Sequence, residues 1–142
     1  MSTLPRLDNE RSVPRILLVD DDEGNREVLA YFLRRRGFTV STASSGEDAL
    51  VALDSDAFAL VLLDVVMPGL GGLETLRAIR ARFPASTLPV VMVTGLDGGD
   101  DVTTAIEMGA DDYVTKPYQL ADALTRIRTL IERASGHAPP LT

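Results

Sequence analysis

Phe58-Ala59-Leu60-Val61-Leu62-Leu63-Asp64-Val65-Val66-Met67-Pro68-Gly69 is the stretch that decides the fold. An apolar run rich in Val and Leu, closed by a Pro-Gly break, reads as a strand buried on both faces. Asp64 then stands at the strand's carboxyl end. In open parallel α/β sheets that edge is where ligands bind. A lone acid there is either a cap for the following turn or a reactive group, and this stretch by itself leaves both readings open.

Working outward, Ile16-Leu17-Leu18-Val19 is another short apolar run, and it too ends in acids, Asp20-Asp21-Asp22-Glu23. From Glu23 to Arg36, Val28, Leu29, Phe32 and Leu33 recur at helical spacing, and Gly37 follows Arg34-Arg35-Arg36 as a stop. The basic triplet suits the negative end of the helix dipole on a solvated face better than it suits a nucleic-acid patch. Phe38 to Thr42 alternates and is β-branched, a second strand. Ser45-Gly46-Glu47-Asp48 opens a helix through about Leu53, with Ala49, Leu50 and Leu53 inward. Beyond Asp64, a helix over Gly72 to Arg82 carries Leu73, Leu76 and Ile79 on one face. Leu88 to Thr94 is a fourth strand, Asp100 to Met108 a helix with a Gly109 stop, and Asp112 to Thr115 a short, partly polar edge strand. A last helix, about Gln119 to Ala134, packs Ala123, Leu124, Ile127 and Ile131 inward. Residues 1–14, broken by Pro5 and Pro14, read as a flexible leader, 15–134 as one domain, and 135–142 as a tail or the start of a linker.

Composition agrees with a single domain: 142 residues, 45% hydrophobic and 25% charged. No apolar stretch approaches the roughly 20 residues of a membrane span, and the amino terminus lacks the apolar core of a signal peptide, so a cytoplasmic location without membrane contact is expected. With no cysteine, disulfides, thiolate nucleophiles and sulfur-ligated metals are excluded. A net charge of −7 argues against direct nucleic-acid binding and favours a basic partner or a divalent cation.

Five alternations of strand and helix call for a doubly wound parallel sheet with helices on both faces. Asp20, Asp21, Asp64, Thr94 and Lys116 then emerge on one edge of it. Clustered carboxylates repel one another unless a cation is present. Hard oxygens without His or Cys nearby suit Mg²⁺ or Mn²⁺.

These motifs together resemble the receiver domain of two-component response regulators. The resemblance runs from about Arg15 to Arg133 and rests on Val19-Asp20-Asp21-Asp22, Leu63-Asp64-Val65-Val66-Met67-Pro68, Val93-Thr94-Gly95 and Gly109-Ala110-Asp111-Asp112-Tyr113-Val114-Thr115-Lys116-Pro117. It implies a flavodoxin-like sheet of strand order 2-1-3-4-5 and a signalling switch, not a turnover enzyme. Asp64 would be phosphorylated by a sensor histidine kinase or a histidine phosphotransfer protein. Mg²⁺ would be held by Asp20 (mainly through water), Asp21, Asp64 and the backbone carbonyl of Val66. Lys116 would neutralise a phosphoryl oxygen, and a cis bond to Pro117 would aim it. Thr94 and Tyr113 would form the switch, changing the surface made by the fourth helix, fifth strand and fifth helix. On that surface Asp111, Asp112, Arg126 and Arg133 match charged positions used for symmetric homodimers, although Val102 stands where a basic residue is usual. A solvated charged face explains the four equally well. The implied partner downstream is a separate protein or a covalently linked output domain.

Two departures narrow the expectation. Val66 and Leu96 occupy positions that in the family place or exclude the water that hydrolyses the acyl phosphate, and both are apolar. Slow dephosphorylation follows. Gly71 replaces an acidic residue common before the Gly of this loop, leaving the loop's hydrogen bonding open. A haloacid-dehalogenase-type phosphatase needs a second acid two residues after the first, where Val66 stands. The dinucleotide pattern begun by Gly69-Leu70-Gly71-Gly72-Leu73 fails at Glu74. A phosphorylation-independent interaction domain remains the main alternative, with the intact acidic cluster, Thr94 and Lys116 against it. His137, in the Pro-rich tail, reads as an exposed residue and not as a phosphohistidine.

Overall fold

A computed structural model of the protein describes residues 13–95, 99–117 and 119–134, with the side chains of 99–101 excepted. The elements run β1 (Arg15–Val19), α1 (Glu23–Arg35), β2 (Thr39–Ala43), α2 (Gly46–Ser55), β3 (Leu60–Asp64), α3 (Gly72–Arg82), β4 (Val90–Thr94), α4 (Gly99–Glu107), β5 (Asp112–Thr115) and α5 (Leu120–Ala134). All strand pairs are parallel, in the order β2-β1-β3-β4-β5. The leader and tail read from the sequence lie outside the described residues except for Val13 and Pro14, and Pro14 belongs to the sheet's end, because its carbonyl accepts from Thr39 N at 3.0 Å.

The apolar run before Asp64 is continuous because its side chains alternate between two cores. Leu60 and Leu62 pack with Ile16, Leu18, Leu29, Leu33 and Ile127 beneath α1 and α5. Val61 and Leu63 pack with Leu17, Val19, Leu53, Leu76 and Ile79 beneath α2 and α3. Every residue of β3 and β4 is buried, and the outer strands β2 and β5 are not, as their positions require.

Element ends differ from the sequence expectation for identifiable reasons. Phe38 does not enter β2, because its N–H is spent on the Leu33 carbonyl at the end of α1 (3.2 Å). Pro89 has no N–H to give the ladder, and β4 starts at Val90. Val28, one of the apolar residues at helical spacing, is 63% exposed; the buried stripe of α1 is Leu29, Ala30 and Leu33, and Val28 falls one step, about 100°, off its edge. Asp22 caps α1 through Asn25 N (2.9 Å) and Ser45 caps α2 through Asp48 N (3.0 Å). The basic end of α1 does more than face the dipole: Arg34 Nη2 donates to the Val40 carbonyl (2.9 Å), tying the helix to β2.

At the amino-terminal edge of the sheet sits a staple that local pattern does not announce. The Arg80 guanidinium donates to the carbonyls of Gly109 (2.8 Å), Leu88 (2.7 Å) and Phe83 (3.1 Å), and to Asp111 Oδ2 (2.9 Å). That same carboxylate oxygen accepts from Val90 N (2.9 Å). Arg80 thereby joins α3, the start of β4 and the α4–β5 turn. Burial pushes the Asp111 carboxyl up and the Arg80 guanidinium down, in each case against the pull of its partner. Among the described residues no helix is long and apolar enough to cross a membrane.

Candidate functional site

The opposite edge of the sheet gathers the reactive groups. Asp20 directly follows β1, Asp64 ends β3, Thr94 ends β4 and Lys116 directly follows β5. The strands hold these ends level: Asp64 pairs with Val93, Thr94 with Thr115, and Lys116 N donates to the Thr94 carbonyl at 2.7 Å. Asp20, Asp64 and Thr94 are buried, whereas Asp21 is exposed. One carboxylate oxygen from each of Asp20, Asp21 and Asp64 lies within 4.8 Å of the others.

Lys116 reaches into this cluster, with Nζ 2.9 Å from Asp64 Oδ2 and 3.5 Å from Asp20 Oδ2. The Lys116–Pro117 peptide is cis. Asp64 Oδ1 accepts from Val66 N at 3.3 Å, and Asp20 Oδ1 accepts from Asp22 N at 2.9 Å. Burial raises the Asp64 carboxyl above its ordinary range; the Lys116 hydrogen bond and charge and the Val66 N–H oppose the rise, and the Asp20 charge adds to it. Three carboxylates facing one ammonium leave the pocket net negative. Oxygen-only donors, one of them exposed to solvent, fit a small hard dication that keeps some of its waters.

The loop after β3 is shaped by glycines. A Cβ on Gly72 would collide with the Asp64 carbonyl oxygen and approach Val65 Cα to 2.6 Å, so the first turn of α3 packs directly on the backbone of Asp64. The open point at Gly71 resolves simply: its N–H donates to Glu74 Oε1 (3.0 Å) and its carbonyl accepts from the buried Thr75 hydroxyl (2.8 Å). Val66 points outward beside this loop, 73% exposed. Leu96 lies outside the described residues.

Thr94 Oγ1 donates to the Gly95 carbonyl at 3.3 Å. Tyr113 is 38% exposed, with the Arg126 guanidinium 5.8 Å from its ring centre. Arg126 is also paired with Asp112 (2.6 Å) and Asp122 (2.9 Å). Of the four charged residues expected on one face, Asp112 and Arg126 meet, Arg133 is exposed near the end of α5, and Asp111 is instead committed to Arg80 and the Val90 N–H. Asp111 is drawn inward because the N–H at the start of β4 and a largely buried guanidinium both need its oxygen.

Sequence reasoning missed Arg26, whose Nη1 donates to the Asp20 carbonyl at 2.9 Å. A signal existed: a cation in the first turn of a helix opposes the dipole and calls for a specific acceptor.

Residues 16–128 match the family model described as the response regulator receiver domain. The chain is 38% identical over 122 residues to the sensory transduction protein RegX3 of Mycolicibacterium smegmatis, covering 86% of this chain and 52% of that protein. It is 37% identical over 125 residues to the alkaline phosphatase synthesis transcriptional regulatory protein PhoP of Bacillus subtilis, covering 88% and 51%. The chain thus spans about half the length of these curated relatives. Among solved structures, a putative response regulator from Chloroflexus aurantiacus superposes with a TM-score of 0.80 at 31% identity, covering 86% of this chain and all of that one. The receiver domain of the TMAO respiratory system response regulator TorR does so with a TM-score of 0.79 at 34% identity, covering 85% and 98%.

Proposed function

This chain belongs to the response regulator receiver family, and on that premise we propose that Asp64 accepts a phosphoryl group from the phosphohistidine of a sensor kinase or phosphotransfer protein. The observation that carries the reading is the convergence of Asp20, Asp21 and Asp64 within 4.8 Å, with the Lys116 ammonium 2.9 Å from Asp64. An Asp64 oxygen attacks phosphorus, the phosphorus–nitrogen bond breaks as the phosphorus–oxygen bond forms, and the donor imidazole leaves neutral with its other nitrogen protonated. Asp20, Asp21, Asp64 and the Val66 carbonyl would hold Mg²⁺ or Mn²⁺, which when bound would supply charge neutralisation for the approaching anion. Lys116, now hydrogen-bonded to Asp64, transfers its hydrogen bond to a phosphoryl oxygen.

The output of this step is a change of surface. A phosphoryl oxygen takes the Thr94 hydroxyl from the Gly95 carbonyl, and Tyr113 moves inward behind it, altering the face formed by α4, β5 and α5. The partner read by that face is a downstream protein, a linked output domain, or a second copy meeting Asp112, Arg126 and Arg133. The net charge of −7 disfavours direct nucleic-acid contact by these residues themselves.

Incubation with acetyl phosphate and Mg²⁺, followed by intact mass, tests the acceptor. The parent gains one phosphoryl group and Asp64→Ala gains none. An unlabelled parent would refute the reading, and a labelled variant would move the acceptor elsewhere.

A further inference from the structure

Arg26 stands in the first turn of α1, where unsatisfied N–H groups make the helix end positive and favour acids such as Glu23. Its guanidinium does not turn away to solvent. Nη1 donates to the Asp20 carbonyl (2.9 Å) while its backbone N–H donates to the Asp22 carbonyl (3.0 Å). Asp20 is held again by its own N–H on the Ala43 carbonyl (3.1 Å) and by Asp22 N on its Oδ1 (2.9 Å). Both ends of the three-acid turn are therefore tied, with the exposed Asp21 between them.

We propose that Arg26 is a positioning residue for divalent-cation binding: by holding the Asp20 carbonyl it fixes the Asp20–Asp22 turn so that the carboxylates of Asp20 and Asp21 converge on Asp64. The proposal rests on the reading of those three acids as a cation site. Charge and position make opposite demands here. A guanidinium on the Asp20 carbonyl adds positive charge near the site and opposes a dication, so its removal on electrostatic grounds alone tightens binding. Loss of an outer contact that orients the ligands weakens binding instead, by roughly 10- to 100-fold in known metal sites. The sign of the change decides which role Arg26 has. A shortened side chain is tolerated, because Arg26 lines an open cleft of about 380 Å³ beside Ser44 and Asp48 and leaves no sealed void.

Mg²⁺ titration calorimetry on the full chain, without phosphodonor, tests this with the parent, Arg26→Met, Arg26→Lys and Leu33→Ala, each also unfolded in urea. Leu33 is a core residue of α1 and serves as the control for simple destabilisation. The expected result is affinity reduced roughly 10-fold or more in Arg26→Met, mostly restored in Arg26→Lys, whose ammonium still donates to the carbonyl, and unchanged in Leu33→Ala. Binding by Arg26→Met as tight as the parent's or tighter overturns the proposal, as does equal weakening in Leu33→Ala. A parent that binds no Mg²⁺ overturns the cation reading and this inference with it.

Discussion

Replacing Arg80 by Met removes the staple at the amino-terminal edge while keeping an apolar stem against Gly109. Three carbonyls lose a charged donor, and Asp111 keeps the Val90 N–H. The two side chains are 12% and 20% exposed, so solvent screening offsets little of the loss. Breaking one side of a buried pair costs about 3–5 kcal/mol, because it leaves the other charge uncompensated. Some rehydration of Asp111 through its exposed edge puts the expected loss at about 3–4 kcal/mol. With a urea m-value of about 2 kcal/mol/M, the unfolding midpoint falls by about 1.5–2 M at unchanged m. If the penalty is an orphaned charge, Asp111→Asn in the Arg80→Met background recovers part of it. The pH dependence has a definite sign. The Asp111 carboxyl is raised by burial in the folded state, so protonation favours folding. Relative to Asp111→Asn, the parent therefore gains stability as pH falls through the raised folded value, and the gain is complete below the ordinary carboxylate range near about 3.9. A midpoint shift under about 0.5 M, or a parent that loses ground to the Asn variant on acidification, would refute the reasoning.

Gly72→Ala places a methyl group against the Asp64 carbonyl and Val65. It is expected to cost about 1–3 kcal/mol in urea unfolding and to slow acetyl phosphate labelling of Asp64; a variant with parental stability and labelling would show that the loop yields freely. Val66→Asn, on an exposed side chain two residues from the acceptor, gives a hydrogen-bonding group beside the acyl phosphate. Phosphate loss, followed by intact mass after donor removal, should accelerate several-fold; an unchanged half-life would count against Val66 as a determinant of the hydrolysis rate.

The sequence was readable where one element could be judged by itself. A strand buried on both faces shows as an unbroken apolar run at Leu60–Leu63, and the sheet order then brings Asp20, Asp64, Thr94 and Lys116 to one edge without further information. Helix faces were readable to within one step of the helical period, and Val28 marks that limit. Partnerships between distant segments were not readable. Nothing near Asp111 reveals that its carboxylate turns toward a guanidinium 31 positions earlier, and a run of charges offers the same pattern whether it faces solvent or a neighbour. The isomer of the Lys116–Pro117 bond was likewise hidden, since proline permits cis without requiring it.

The parallel sheet also acts as a partition. Its side chains alternate so strictly that Ile16, Leu18, Leu60 and Leu62 share one core while Leu17, Val19, Val61 and Leu63 share the other. Residues under α1 and α5 thus have few neighbours in common with those under α2 and α3, so the costs of substitutions made on the two sides add instead of compounding. One side can accumulate change while the other stays fixed.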